Sequence, residues 1–309
     1  MQNNLVSIAV ATYNGEKYLK EQLDSIYNQT YKNIEVIVCD DCSSDKTVEI
    51  LEEYSKNFGL KYFVNETNLG FVKNFEKAIS LCSGDYIALS DQDDIWIENK
   101  IEILLKNIAD NLLIHSDCEL IDENGETIKE FWKGEIKSHK CFEDFLFSNV
   151  VTGCTILFKK DLLRYALPFP ERLAYHDWYL AVVAAKFSQI TYISAALTKY
   201  RQHIAQDTGT KKPSKLQSLL IDKINRFRGK KIHRVIAYEK HLKNLNSIAD
   251  VHVFKNEQQS IIDAKNYFEN YLSSPIHLKT FLIGLKYSKN KYSKKNYLYV
   301  RNILDDIVG

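Results

Sequence analysis

What most constrains this chain is the alternation in its first hundred residues. Short β-rich runs, "LVSIAVATY" at 5–13, "IEVIVCD" at 34–40, "KYFVN" at 61–65 and "DYIALS" at 85–90, are separated by stretches whose apolar residues recur at helical spacing. Leu19, Leu23 and Ile26 form one such stripe, and Phe71, Phe75, Ala78 and Ile79 another. Parallel strands need a crossover of a dozen or more residues, which an amphipathic helix supplies. The order β-α-β-α-β-α-β therefore predicts an α/β fold with a mainly parallel, twisted sheet and flanking helices, whose ligands bind beyond the carboxyl ends of the strands. Ser43 or Ser44 is expected to cap the second helix.

The later pattern is less regular. "LIHSDCELIDENGETI" predicts a hairpin turning at Glu123 to Gly125, "VVTGCTILF" at 150–158 a further buried strand, and "HDWYLAVVAAKF" at 176–187 a helix, with strands near 189–194 and 197–201. Beyond "TGTKKPSK", Leu216, Leu219, Leu220, Ile224 and Phe227 recur at helical spacing. A boundary is expected near 210, leaving one domain at 1–209, with halves meeting near 110, and a helical extension at 210–309.

The segment "ALSDQDDIW" at 88–96 places three carboxylates in four positions directly after the fourth strand. A helix start would use one acid as a cap, and the others would only add repulsion. A calcium loop counted from Asp91 puts Ile95 fifth and Trp96 sixth, where a turn demands Gly. An aspartyl phosphatase would carry its nucleophile on the first strand, whereas here three strand-helix units come first. A DxD metal site fits better: in an extended segment Asp91 and Asp93 share one side while Gln92 and Asp94 point away, and Mg²⁺ or Mn²⁺ fills its other positions with water and phosphate oxygens.

"SIAVATYNGEKYLKEQLDSIYNQTYKNIEVIVCDDCSSDKTVEIL" resembles the opening of the family 2 glycosyltransferases, and "SDQDDIW" is similar to the metal motif of their rhamnosyltransferase-like branch. The resemblance covers roughly residues 5–207 and implies the GT-A fold, a nucleotide-binding sheet fused to an acceptor half. It implies that the nucleotide-sugar lies on Ala11, Tyr13, Asp40, Asp41, Asn68, Lys73, Asp91 and Gln92, with Asp41 accepting from N3–H of uracil or thymine, which cytosine lacks. It implies Asp177 of "YHDWYLA" as the catalytic base, with Glu171 in reserve, and His203 of "YRQHIAQDTG" as a metal ligand beside Asp91 and Asp93. Gly153, His176 and Arg201 fall on the acceptor or phosphate side, Arg201 pairing with the diphosphate. The Gln-x-x-Arg-Trp motif of processive synthases is missing, which predicts one sugar added per encounter. The function so implied is inverting transfer from a dTDP- or UDP-sugar, dTDP-L-rhamnose foremost, to a saccharide or lipid-linked acceptor in bacterial surface polysaccharide synthesis. A sugar-1-phosphate nucleotidyltransferase would need a Gly-rich basic loop where "TYNGEKYL" offers one Gly.

Charge narrows the partners. Lys+Arg and Asp+Glu are nearly balanced, at 41 and 40, yet residues 211–309 hold 20 against 8, a net of +12, and the rest carries −11. This basic tail, with Phe227, Phe281, Tyr292, Tyr297 and Tyr299, suits an anionic membrane surface at about 1 kcal/mol per cation, and a homodimer interface or a binding protein without catalysis stays open. No base-reading motif accompanies it, so no nucleic acid is expected. Six cysteines, mostly in apolar runs, one CxxC and no second to complete a zinc site predict reduced thiols. The start lacks a signal peptide's pattern, and no run approaches the roughly 18 residues of a span, so a cytoplasmic or peripheral location is expected.

Overall fold

The computed structural model describes residues 4–134, 141–203 and 237–273. In chain order the elements are β1 (Val6–Thr12), α1 (Leu19–Tyr27), β2 (Ile34–Asp40), α2 (Thr47–Phe58), β3 (Lys61–Val64), α3 (Phe71–Ser80) and β4 (Tyr86–Ser90). Then follow β5 (Ile95–Trp96), α4 (Lys100–Asn107), β6 (Leu113–Ile121), β7 (Thr127–Lys129), α5 (Phe142–Phe147), β8 (Ile156–Lys159), α6 (Leu163–Ala166), α7 (His176–Lys186) and β9 (Ile190–Arg201). Two more helices are α8 at 237–248 and α9 at Gln258–Ser273.

One sheet runs in the order β3-β2-β1-β4-β8-β6-β9-β5, with β7 paired to β6. The first four strands are parallel, as the alternation predicts. The second half is mixed: β8 lies antiparallel between β4 and β6, β6 and β9 are parallel, and β5 is antiparallel to β9. All seven residues of β1 are buried. Val6, Ile8 and Val10 meet Leu19, Leu23 and Ile26 of α1, and the stripe Ile50, Leu51 and Tyr54 of α2 joins the same core. Each such side chain contributes roughly 1.5–3 kcal/mol on burial. A strand buried on both faces has no reason to alternate polar and apolar residues, which is why β1 reads as a continuous apolar run.

Three local expectations change. The 150–158 run is a strand only from Ile156; Gly153–Thr155 form a 3₁₀ turn, in which Thr155 N–H and Oγ1 both donate to Thr152 O. The two strands expected at 189–201 are one, since register shifts against Ser116, Asp117 and Glu119 absorb the extra residues as bulges. Neither Ser43 nor Ser44 caps α2; Ser43 binds Asp40, and Asp45 Oδ1 accepts the Thr47 N–H at 2.9 Å. The turn at Glu123 to Gly125 connects β6 to β7 as expected, with Gly125 at a φ of 89°.

The chain groups into two units, one of Met1–Ile136, Val150–Phe169 and Tyr175–His203, the other of Lys137–Asn149, Pro170–Ala174 and Ile204–Gly309. The first holds the whole sheet. In the second, Phe142 packs on Phe254 with ring centroids 5.5 Å apart, Phe147 on Tyr267 at 5.4 Å, and His241 Nε2 lies 2.7 Å from Leu146 O. Asn244 Oδ1 accepts the Ala174 N–H. The expected boundary near 210 and the apolar pattern at 216–227 lie outside the described residues, as does most of the basic tail. No helix among the described residues is long and apolar enough to cross a membrane.

Candidate active site

The carboxyl ends of β1 and β2 and the segments after β1, β2, β3 and β4 carry the residues singled out for the nucleotide-sugar, and Asp93 with them. At the end of β2, Asp41 is buried: Oδ1 accepts from Asn65 Nδ2 at 2.8 Å and Leu69 N at 2.7 Å, and Oδ2 accepts from Gly70 N at 2.9 Å. Asp40 binds Thr12 Oγ1 and Ser43. Asn68 Nδ2 donates to Asp41 O, so this side chain also fixes the turn into α3, where Gly70 needs its φ of 80°. Ala11 sits at the floor, Tyr13 is 49% exposed with its ring free for stacking, and Lys73 pairs with Glu76 at 2.6 Å on the helix surface.

After β4 the chain bends instead of continuing extended, so the expected alternation of side chains fails. Gln92 turns to Tyr13, accepting its N–H at 2.8 Å and donating to its carbonyl at 3.0 Å. A Cβ on Gly15 would collide with Gln92 Oε1, so the glycine makes room for this bracket. Asp94 turns inward rather than away. Its donor atom, one from Asp91 and the Cys154 sulfur lie within 4.8 Å of one another. Asp94 Oδ1 accepts the Arg201 N–H at 3.0 Å, and its Oδ2 is buried with no hydrogen-bond partner among the described residues. On the other side of the bend, Asp93 Oδ2 lies 2.7 Å from His203 Nε2.

The Arg201 guanidinium, expected on the phosphate side, is engaged within the protein. The residue is 2% exposed; Nε donates to Asp93 O at 2.8 Å, Nη2 pairs with Glu21 at 2.5 Å, and Nη1 reaches the carbonyls of Asp122 and Glu123. Its work is to fasten the acidic bend to α1 and the β6–β7 turn.

Asp177 stands in the first turn of α7 with Oδ1 accepting the Trp178 N–H at 2.6 Å. Beside it, His176 is 6% exposed and stacks on Phe75 at 4.2 Å, and burial holds its pKa down at about 3, so the imidazole is neutral. A Cβ on Gly153 would meet His176 Nε2 at 3.3 Å and Asp177 Cβ at 3.8 Å, so Gly153 permits the 153–155 turn to pass close to α7. Glu171, the reserve base, is exposed and belongs to the other unit.

The electrostatics calls for a cation. Burial first, then the charges of Asp93 and Asp177, push the Asp91 carboxyl up to about 7. Burial with Asp93 and Asp91 pushes Asp94 well above the usual range. Carboxylates crowded in a low dielectric repel unless a positive charge joins them. Oxygen donors with one imidazole suit a hard divalent ion. Burial also keeps the Cys154 thiol protonated, so sulfur is the least suited donor of the group. The residues present fit Mg²⁺ or Mn²⁺.

Sequence reasoning missed Lys100, Asp94, Glu21 and Gly15. Lys100 carries a legible signal, since it falls four residues before Leu104 and beside Ile101 on the buried stripe of α4. The others depend on contacts between distant segments.

Residues 7–165 match the family model described as Glycosyl transferase family 2. The chain is 28% identical to an uncharacterized glycosyltransferase of Haemophilus influenzae, across 96% of this chain and 95% of that protein. It is 32% identical to the UDP-Glc:alpha-D-GlcNAc-diphosphoundecaprenol beta-1,3-glucosyltransferase WfgD of Escherichia coli over 65% of this chain and 78% of that one. It is 33% identical to the dTDP-rhamnosyl transferase RfbG of Shigella flexneri over 65% and 73%. Among solved structures, S. aureus TarS 1-349 with UDP-GlcNAc aligns at a TM-score of 0.59 and 20% identity, covering 98% of this chain and 91% of that one. The mannosyltransferase PcManGT of Pyrobaculum calidifontis, with GDP-Man and Mn²⁺, aligns at 0.57 and 17%, covering 99% and 85%. These likenesses show a GT-A type α/β fold.

Proposed function

Because the chain belongs to glycosyl transferase family 2, we propose that this glycosyltransferase is metal-dependent and inverting and adds one sugar per encounter from a uridine or thymidine diphosphate sugar. The acceptor is a saccharide or lipid-linked oligosaccharide of bacterial surface polysaccharide synthesis, met at the cytoplasmic side of the membrane. Two relatives support a pyrimidine donor, one printed with UDP-Glc and the other with dTDP-rhamnosyl. The motifs "SDQDDIW" and "HDWYL" put dTDP-L-rhamnose first.

The observation that carries this reading is the acidic bend after β4, where the donor atoms of Asp91 and Asp94 come together, Asp93 meets His203 at 2.7 Å, and the charges of Asp93 and Asp177 act on the Asp91 carboxyl. Asp93, His203 and Asp91 would hold the ion, which when bound neutralises the charge that develops on the departing diphosphate. Asp177 takes the proton from the acceptor hydroxyl as that oxygen attacks the anomeric carbon, and displacement from the opposite face inverts it. Arg201 keeps Asp93 and Asp94 in place through their backbone and side-chain oxygens. The exposed Tyr13 ring receives the base, and Asp41, held by Leu69 and Gly70, presents its second carboxylate oxygen to N3–H.

Thermal unfolding with a panel of nucleotides tests the proposal. UDP or dTDP with Mn²⁺ should raise the melting temperature clearly, and GDP or CMP should not. Equal shifts for all four would remove the pyrimidine assignment, and no effect of Mn²⁺ on any of them would remove the metal.

A further inference from the structure

Lys100 opens α4, and none of its surface reaches solvent. Its ammonium donates to Cys154 O at 2.5 Å and Thr198 Oγ1 at 2.9 Å, and it lies 3.6 Å from the centroid of the Trp96 ring. A carbonyl, a hydroxyl and a π-face replace only part of the hydration that a buried ammonium gives up. Burial draws its pKa down to about 7 against the opposing pull of Cys154, Asp94, Cys118 and Asp91. The ammonium is thus tied to the carbonyl of the same Cys154 whose sulfur sits against the donor atoms of Asp91 and Asp94.

We infer that Lys100 is a resident counter-cation of the acid cluster, offsetting the charge of Asp94 and Asp91 before a divalent ion arrives and lowering the site's affinity for that ion. The inference rests on the metal-dependent reading above. A positive charge on Lys100, tied to the Cys154 carbonyl while the Cys154 sulfur lies within 4.8 Å of the Asp91 and Asp94 donor atoms, opposes a doubly charged ion there, and at an intermediate effective dielectric the penalty amounts to about tenfold in affinity or more. A nucleotide diphosphate then supplies the missing attraction, so that ion and donor enter together. The rival view makes Lys100 only a clamp between the 153–155 turn and β9. A clamp that is lost loosens the site and weakens the ion; a counter-charge that is lost tightens it.

The experiment is titration of nucleotide-free full-length protein with Mn²⁺ alone, by calorimetry at pH 6, below the Lys100 pKa of about 7 so that wild type carries the charge, comparing wild type with Lys100→Gln, Lys100→Met and Lys100→Arg. Lys100→Gln keeps a donor for Cys154 O without the charge and should bind Mn²⁺ about tenfold more tightly, with Lys100→Met following it and Lys100→Arg staying near wild type. Unchanged or weaker binding in a neutral variant whose circular dichroism matches wild type overturns the inference. Failure of both neutral variants to fold overturns it too, since the ammonium would then hold the fold and not tune the ion. Wild type that takes up no Mn²⁺ even with UDP present would instead sink the metal-dependent reading.

Discussion

Asp177 and His176 share the first turn of α7, yet the chain gives them opposite surroundings. The carboxylate acts electrostatically on Asp91 of the acid cluster, and the imidazole is stacked on Phe75 and kept neutral by burial. Asp177→Asn keeps the shape and removes the base, so it should bind nucleotide and Mn²⁺ as wild type does while turnover falls ~10²- to 10⁴-fold. Retained turnover would move the base elsewhere. His176 gives a pH signature. Its folded pKa of about 3 lies below the 6.5 of the unfolded chain, so between those values the unfolded state binds more protons and stability drains as pH falls. His176→Phe removes that proton uptake, and its melting temperature should fall less steeply than wild type's from pH 6.5 toward 3. Parallel curves would mean that the imidazole is not held neutral.

Among the elements, the loop between β3 and α3 shows how one acid serves structure and chemistry together. Asp41, itself only 2% exposed, closes it with two backbone N–H groups and the Asn65 amide. Asp41→Ala leaves the buried Asn65 amide and the part-buried Leu69 and Gly70 N–H groups without this acceptor, at roughly 1–3 kcal/mol for the buried one and less for the others. The variant should melt several degrees lower and lose uridine nucleotide binding together. Lost binding with an unchanged melting temperature would mean that Asp41 reads the base alone and anchors nothing. The acidic bend follows the same logic, because Arg201 of β9 grips Asp93 and Asp94, Glu21 of α1 grips Arg201, and Gln92 within the bend reaches across to Tyr13.

The molecule as a whole divides differently from the chain. Lys137–Asn149 and Pro170–Ala174 group with the C-terminal residues rather than with the sheet. Within that unit α5 buries Phe142, Phe145 and Leu146, with Phe254 and Tyr267 among its ring partners. A chain cut after residue 209 keeps α5 but removes those partners. It should bind a hydrophobic dye and elute as aggregate on size exclusion, whereas a clean monomer would show that 1–209 folds alone. A linear boundary drawn where composition changes cannot see an inserted segment, because insertion leaves no mark on local hydropathy.

The sequence by itself determined the parallel half of the sheet, since a two-face-buried strand and an amphipathic crossover each leave a local period. It also determined that acids gather at the end of the fourth strand. Only the tertiary structure decided that Asp94 turns inward, that Arg201 is consumed by backbone carbonyls and Glu21, and that Lys100 lies beneath the cluster. Those facts depend on pairs 54 to 180 residues apart meeting around one bend, and no local period encodes the direction in which a short polar side chain will point once they meet.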